Sequence, residues 1–269
     1  MSDRTALQGR TIVITRPAHQ ASAISQRLQE RGAHVVRFPL LDIAEPMDVV
    51  RCHQQLSTLS RYDYLIFTSP NAVEYAFAKL PEALPPSLNI AAVGKKTAEA
   101  LACHGVSVSI VPDRLFNSEA LLACPAFQSV RHQSIAIIRG EGGRELLRDT
   151  LRQRGAVVNC IEVYRRVCPV DDLSPLTAIH QQAGIDLIVL TSVESLYHLF
   201  RLGAGLRWLN ETPLLVGSER IAHQARRYAR TGEVVVATDP SDDSIYHALC
   251  GAAHRTLWEL EVKVKELPD

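Results

Sequence analysis

Apolar residues gather in ten short runs along the chain: Ile12–Thr15, Val35–Phe38, Tyr64–Thr68, Ile90–Val93, Val106–Val111, Ile135–Ile138, Val157–Val163, Leu187–Thr191, Leu214–Val216 and Val234–Ala237. The runs are rich in Val and Ile and are bounded by Gly, Pro, Asp and Ser, as β-strands are. Between them the apolar positions take a helical period. Ala21, Ile24 and Leu28 follow i, i+3, i+7 spacing; Ala98, Leu101 and Ala102, and Ala222, Ala225 and Ala229, mark two further amphipathic stretches. Strand followed by helix, again and again, predicts an α/β fold of parallel sheets with helices on both faces. Strands buried on both sides read as continuous apolar runs.

The pattern also repeats. Sliding the chain by 123 positions lays residues 11–37 on 134–160, so that Ile12, Ile14 and Arg16 meet Ile135, Ile137 and Arg139. In the same block Leu28, Arg31, Gly32, Ala33 and Val35 meet Leu151, Arg154, Gly155, Ala156 and Val158. The same shift lays DYLIFTSPNAVEYAF (63–77) on DLIVLTSVESLYHLF (186–200), and Val93–Gly94 on Val216–Gly217. One offset across three separated blocks indicates a duplicated α/β unit.

Composition narrows the class. The chain has 269 residues, a length that suits two domains. Lys and Arg total 29 and Asp and Glu total 29, so the basic excess of a general nucleic-acid binder is missing. Apolar residues are 46% and charged residues 22%, which argues for packed cores over disorder. No apolar run reaches membrane-spanning length. The N-terminal MSDRTALQGRTIVITRP has no apolar stretch of secretory type, so a cytoplasmic protein is expected. Six cysteines (52, 103, 124, 160, 168 and 250) form no CxxC, and the histidines form no HExxH. Reduced thiols and no metal are the expectation.

The chemistry is expected at the turns. Six strands end in small polar residues that lead into a helix: ITRPAHQ (14–20), FTSPNAV (67–73), AVGKKTA (92–98), IRGEGGR (138–144), LTSVESL (190–196) and LVGSERI (215–221). The candidate binding residues are therefore Arg16, Pro17, Thr68, Ser69, Pro70, Asn71, Gly94, Lys95, Arg139, Gly140, Thr191, Ser192, Val193, Gly217 and Ser218. Open parallel sheets bind ligands beyond the carboxyl ends of their strands. Helix N-termini there offer free N–H groups and a partial positive charge, and small residues let an anion approach. The alternative is that the Ser, Thr and Asn residues are only helix caps. Arg16 and Arg139 either grip a ligand carboxylate or form internal ion pairs. A GxGxxG starting at Gly140 fails, because Glu145 stands at its sixth position, and neither GxxxxGK[ST] nor GxSxG occurs.

Taken in order and spacing, ITRP (14–17), RGAHVVRFPLL (31–41), DYLIFTSPNAV (63–73), AAVGKKTAEAL (91–101), IIRGEGGRELL (137–147), VYRR (163–166), LTSVES (190–195) and LLVG (214–217) resemble the uroporphyrinogen-III synthases. The resemblance spans residues 10–250. It implies two flavodoxin-like α/β domains with parallel sheets, joined by a two-stranded linker. Domain one, discontinuous in sequence, would be 1–37 with 167–269; domain two would be 40–163, and the linker strands 38–39 and 164–166.

The resemblance also implies a lyase of tetrapyrrole biosynthesis that needs no cofactor and no metal. Its substrate would be hydroxymethylbilane, a linear tetrapyrrole with eight carboxylates, closed to uroporphyrinogen III with loss of water. Departure of the hydroxyl leaves an azafulvene on the first ring. Ring D attacks through its substituted carbon, and a spiro intermediate opens and recloses with that ring inverted. Catalysis would then be largely positioning. Tyr164 of VYRR falls at a family tyrosine that faces the cleft, where a phenol can assist the leaving hydroxyl. Thr97 of VGKKT matches a family threonine.

Two departures stand out: Arg220 replaces the threonine of the second VGxxT, and Val193 the proline of the second TSP. A monomer is expected, without nucleic-acid or membrane partners and with transient contact to hydroxymethylbilane synthase. The competing reading is a non-catalytic two-lobed binder of an anionic ligand, or an inactive relative, which Arg220 favours. Residues 251–269 read as a charged tail.

Overall fold

The computed structural model describes residues 7–81, 83–85, 88–229 and 233–250; the expected charged tail lies outside the described residues. In chain order the elements are β1 (Thr11–Ile14), α1 (Ala18–Gln29), β2 (His34–Arg37), β3 (Asp42–Ala44), α2 (Val49–Leu56), β4 (Tyr64–Phe67), α3 (Pro70–Phe77), β5 (Asn89–Ala92), α4 (Lys95–Cys103), α5 (Ser118–Ala123), β6 (Ser134–Gly140), α6 (Leu146–Gln153), β7 (Val157–Val167), α7 (Ser174–Ala183), β8 (Leu187–Leu190), α8 (Val193–Leu202), α9 (Arg207–Glu211), β9 (Leu214–Val216), α10 (Glu219–Ala225), β10 (Val234–Val236) and α11 (Asp242–Cys250). The fold is mixed α/β. Its chain divides at Asp42/Ile43 and again at Arg166/Val167 into two compact units, the first made of both ends of the chain.

Each unit carries one five-stranded sheet, ordered β10-β9-β8-β1-β2 in the first and β3-β7-β6-β4-β5 in the second. The central pairings of both sheets are parallel. Their apolar runs are continuous because each strand feeds two cores. In the first unit Val13, Ile188 and Leu190 face one side, and Ile12, Ile14, Leu187 and Val189 the other. In the second, Leu65, Phe67, Ala136 and Ile138 face one side, and Ile66, Ile135 and Ile137 the other.

The repeat is visible in the register. Thr11 pairs with His34 as Ser134 pairs with Val157, and Ile12 pairs with Leu187 as Ile135 pairs with Tyr64. Both units therefore share the core order β9-β8-β1-β2 and β5-β4-β6-β7. Gly32 and Gly155 follow equivalent helices with φ of +88° and +86°, the left-handed turn that glycine adopts without a Cβ clash.

The third block slips by one residue. Phe67 pairs with Ala92, while Leu190 pairs with Val216, so Gly94 caps α4 where Ser218 caps α10. The letters VG align at 123, but the backbone aligns at 124.

Other expectations change too. Val106–Val111 is not a strand: only a single bridge joins Ile110 to Ala91, and Pro112 ends the segment. Three-residue β3 carried no apolar run to announce it. The proposed junctions are packed: Phe38 and Leu40 sit in a core of the first unit and Tyr164 in one of the second, with β7 running on to Val167. No described helix is long and apolar enough to cross a membrane.

Candidate active site

The second sheet has one place where a crevice must open. β4 and β6 are neighbours, with Tyr64 opposite Ile135 and Phe67 opposite Ile138. The chain leaves β4 toward β5 and β6 toward β7, in opposite directions. Helices after such strands diverge and leave space at the carboxyl ends. A cavity of about 320 Å³ lies there, lined by Thr68, Ser69, Ser118, Ile137, Arg139, Gly140, Gly142, Gly143, Arg144, Leu147, Tyr164 and Arg166.

Tyr164 reaches this cavity through an irregularity in β7. Arg139 pairs with Glu162, but Gly140 pairs with Tyr164, so Val163 is an extra residue. A bulge re-aims the side chains beyond it. Ile161, Val163 and Tyr164 thus share one core, although a regular pleat would turn Tyr164 to the opposite face. The side chain is 2% exposed, with its ring 5.9 Å from that of Tyr75. Gly140 makes the room, since a Cβ there would stand 2.5 Å from the Tyr164 ring. The phenol oxygen lies 3.2 Å from Ser69 Oγ and accepts from Arg166 Nη2 at 3.4 Å. Ser69 Oγ also accepts from the Ala72 N–H at 3.1 Å, which caps α3.

Arg139 forms the opposite wall. It is 5% exposed, donates to the Gly143 carbonyl at 2.9 Å and pairs with Glu145 at 3.1 Å and Glu162 at 3.6 Å. Its Nε is buried without a hydrogen-bond partner among the described residues. The guanidinium braces loop 141–145, whose Gly142 has φ +66°. Three arginines and no carboxylate line the cavity itself; behind the wall Arg139 is held by Glu145 and Glu162, and Arg144 by Glu119 at 2.7 Å.

A larger groove, about 530 Å³, runs between α2, α6 and β7, but there Arg51, Arg148 and Arg152 face Asp48, Glu141 and Glu162. That balance of charge has no preference for an anion. Cys160, on the wall of this groove, has its thiol pushed above the usual range by burial, with Arg139 partly opposing the shift. Among the described residues, no three His, Cys, Asp or Glu side chains group to hold a metal ion.

Thr68, Ser69, Arg139, Gly140 and Tyr164 thus meet at one cavity. Pro70 and Asn71 open α3 beside it, with the proline in the first turn, where its missing N–H costs nothing. Gly94 lies under Phe116, with room for a Cβ only at 3.1 Å; Lys95 is exposed, and Thr97 is 4% exposed on the inward face of α4.

In the first unit, Arg16 is 8% exposed and bound to Asp242 and to the Pro240 carbonyl, so it is an internal ion pair. Pro17 is buried at the start of α1. Ser192 caps α8 through the Ser195 N–H at 3.0 Å, Thr191 precedes it half-buried, and Val193 packs on the core. Gly217 has Pro240 where a Cβ would be, and Ser218 heads α10 without a side-chain cap.

The cavity also uses Ser118, Gly142, Gly143, Arg144, Leu147 and Arg166, which were not among the sequence candidates. Arg166 had a signal, lying two residues beyond Tyr164 on the same strand face. Ser118, the first residue of α5, had none, because that helix is brought to the cavity only by tertiary packing.

The family model for uroporphyrinogen-III synthase HemD matches residues 22–247. The chain is 34% identical over 246 residues to the uroporphyrinogen-III synthase of Salmonella typhimurium, covering 89% of this chain and 99% of that protein. It is 33% identical over 248 residues to that of Escherichia coli, with 89% and 99% covered. The chain belongs to the uroporphyrinogen-III synthase family.

Solved structures agree in fold. A mutant uroporphyrinogen III synthase from Thermus thermophilus superposes with a TM-score of 0.60 at 19% identity, covering 89% of this chain and 98% of that one. Uroporphyrinogen-III synthetase from Helicobacter pylori gives 0.56 at 16%, covering 95% and 99%.

Within this family frame, the Arg220 departure changes meaning. With the one-residue slip, the counterpart of Thr97 is Ile221, which is 2% exposed at the same helix position. Arg220 is exposed one residue earlier and replaces nothing inward.

Proposed function

We propose that this chain closes hydroxymethylbilane to uroporphyrinogen III, with loss of water and inversion of ring D, at the cavity bounded by Ser69, Arg139, Gly140 and Tyr164. The observation that carries this reading is a phenol at the switch point of the second sheet, in a cavity with a wall of three arginines. A substrate with eight carboxylates suits that wall. Exposed Arg144, paired with Glu119 at 2.7 Å, can exchange that partner for a substrate carboxylate, and Thr68 and the first turn of α3 add neutral donors.

Tyr164 donates its hydrogen to the hydroxyl of the first ring. The C–O bond breaks, its electrons leave with oxygen, and water departs as the pyrrole nitrogen lone pair forms the azafulvene. Ring D attacks through its substituted carbon, the spiro intermediate opens, and reclosure at the terminal carbon releases that carbon's proton. This proton restores the phenol, so the balance is one water lost. The cavity holds the chain in the shape that favours the spiro route.

The strand orders support two flavodoxin-like halves: the first sheet, numbered by its own strands, runs 2-1-3-4-5, and the second repeats its core. A cofactor-free, metal-free monomer that receives its substrate by transient contact with hydroxymethylbilane synthase completes the proposal.

The test is a coupled assay with porphobilinogen and its deaminase, followed by oxidation and chromatographic separation of isomers. Predominantly type III porphyrin is the expected result. Only type I from a folded sample would leave a binder of anionic ligands in its place.

A further inference from the structure

We infer that Ser69 and Arg166 are positioning residues that turn the Tyr164 hydroxyl hydrogen into the cavity. The inference rests on the reading of Tyr164 as the hydrogen donor and adds what sets its direction.

A phenol has one hydrogen to give and lone pairs to receive. Arg166 can only donate, so at 3.4 Å the Tyr164 oxygen is the acceptor. Ser69 Oγ already accepts from the Ala72 N–H at 3.1 Å. Its own hydrogen has Tyr164 Oη, at 3.2 Å, as its acceptor among the described residues. With Ser69 donating, the phenol oxygen receives two hydrogen bonds and its hydrogen is left for the cavity. The opposite arrangement would spend the phenol hydrogen on Ser69 and leave an aliphatic hydroxyl, a much weaker acid, facing the substrate. Two donors aimed at the phenol oxygen also stabilise it as negative charge builds there, which is when such bonds matter most. Gly140 and Tyr75 pack against the ring and hold it at the cavity.

The main test uses Arg166, which is exposed, so its replacement spares the fold. Arg166→Met is expected to lower kcat about tenfold with KM nearly unchanged, the size of one charge-assisted hydrogen bond. Arg166→Lys, which still donates, should restore most of the loss. In a Tyr164→Phe background, itself slowed about tenfold or more, Arg166→Met should cost nothing further, because the acceptor oxygen is gone. A raised KM, or equal loss in both backgrounds, would mean that Arg166 holds substrate directly, and the inference would fall. An unchanged kcat for Arg166→Met would also overturn it. Tyr164→Phe with full turnover would overturn the reading of Tyr164 first, and this inference with it. Ser69→Ala should lower kcat when Tyr164 is present and not in the Tyr164→Phe background, and Ser69→Thr, which keeps cap and donor, should recover most of that loss.

Discussion

The two units share a sheet and differ at its rim. Arg16 and Arg139 end equivalent strands, and the next positions are Pro17 and Gly140. After Pro17 the first unit enters α1 at once, at Ala18. After Gly140 the second unit makes a glycine loop and starts its helix only at Leu146. Arg16 is bound to Asp242 and the Pro240 carbonyl, groups brought in by the segment before and at the start of α11, which close the first rim. Arg139 instead braces its own loop, and the space this loop leaves is the cavity beside Tyr164. A duplicated scaffold thus supplies the site at the point where one copy departs from the other.

The sharpest way to break this comparison is to fill the departure. Gly140→Val should displace the Tyr164 ring and lower turnover by about a hundredfold, as small misplacements of reacting groups do. Full turnover would mean that the cavity is not where the chemistry happens.

A smaller effect tests what the copies share. Gly32→Ala and Gly155→Ala put a side chain on left-handed backbone at equivalent turns, and each should lower stability by about 1–2 kcal/mol in urea unfolding. Very unequal costs would mean that the two scaffolds are less alike than their registers.

The smallest effect concerns pH. Cys160 stands where the first unit has Arg37, and burial raises its thiol above the ordinary thiol range. The folded state then holds the thiol proton more tightly than the unfolded state. Stability is full below the unfolded value and falls as pH rises from there through the folded one. Cys160→Ala should flatten a decline in the urea midpoint as pH rises through and above the ordinary thiol range. An unaltered decline would remove Cys160 as its source.

Much of the fold was legible because burial on both faces writes continuous apolar runs, and nine of the ten runs are strands. The exception, Val106–Val111, meets β5 only through Ser109 and Ile110 and forms a single bridge, with Pro112 ending the segment at the sheet edge. The turns with Thr68, Ser69, Arg139 and Gly140 were legible as strand ends. Arg16 looked identical to Arg139 by repeat position, and their different partners, Asp242 and the Pro240 carbonyl against the Gly143 carbonyl, Glu145 and Glu162, separate their fates.

The sequence by itself determined the class of fold, the duplication, the strand ends where a ligand could sit, and, through its motifs, the family. These are local signals, carried by periodicity and by short stretches of neighbouring residues. Tertiary structure decided which strand end is open, the bulge that turns Tyr164 inward, and the meeting of Ser69, Gly140 and Arg166 around one oxygen. A one-residue bulge leaves no mark in composition or period, because it is a mismatch between two strands and belongs to neither alone.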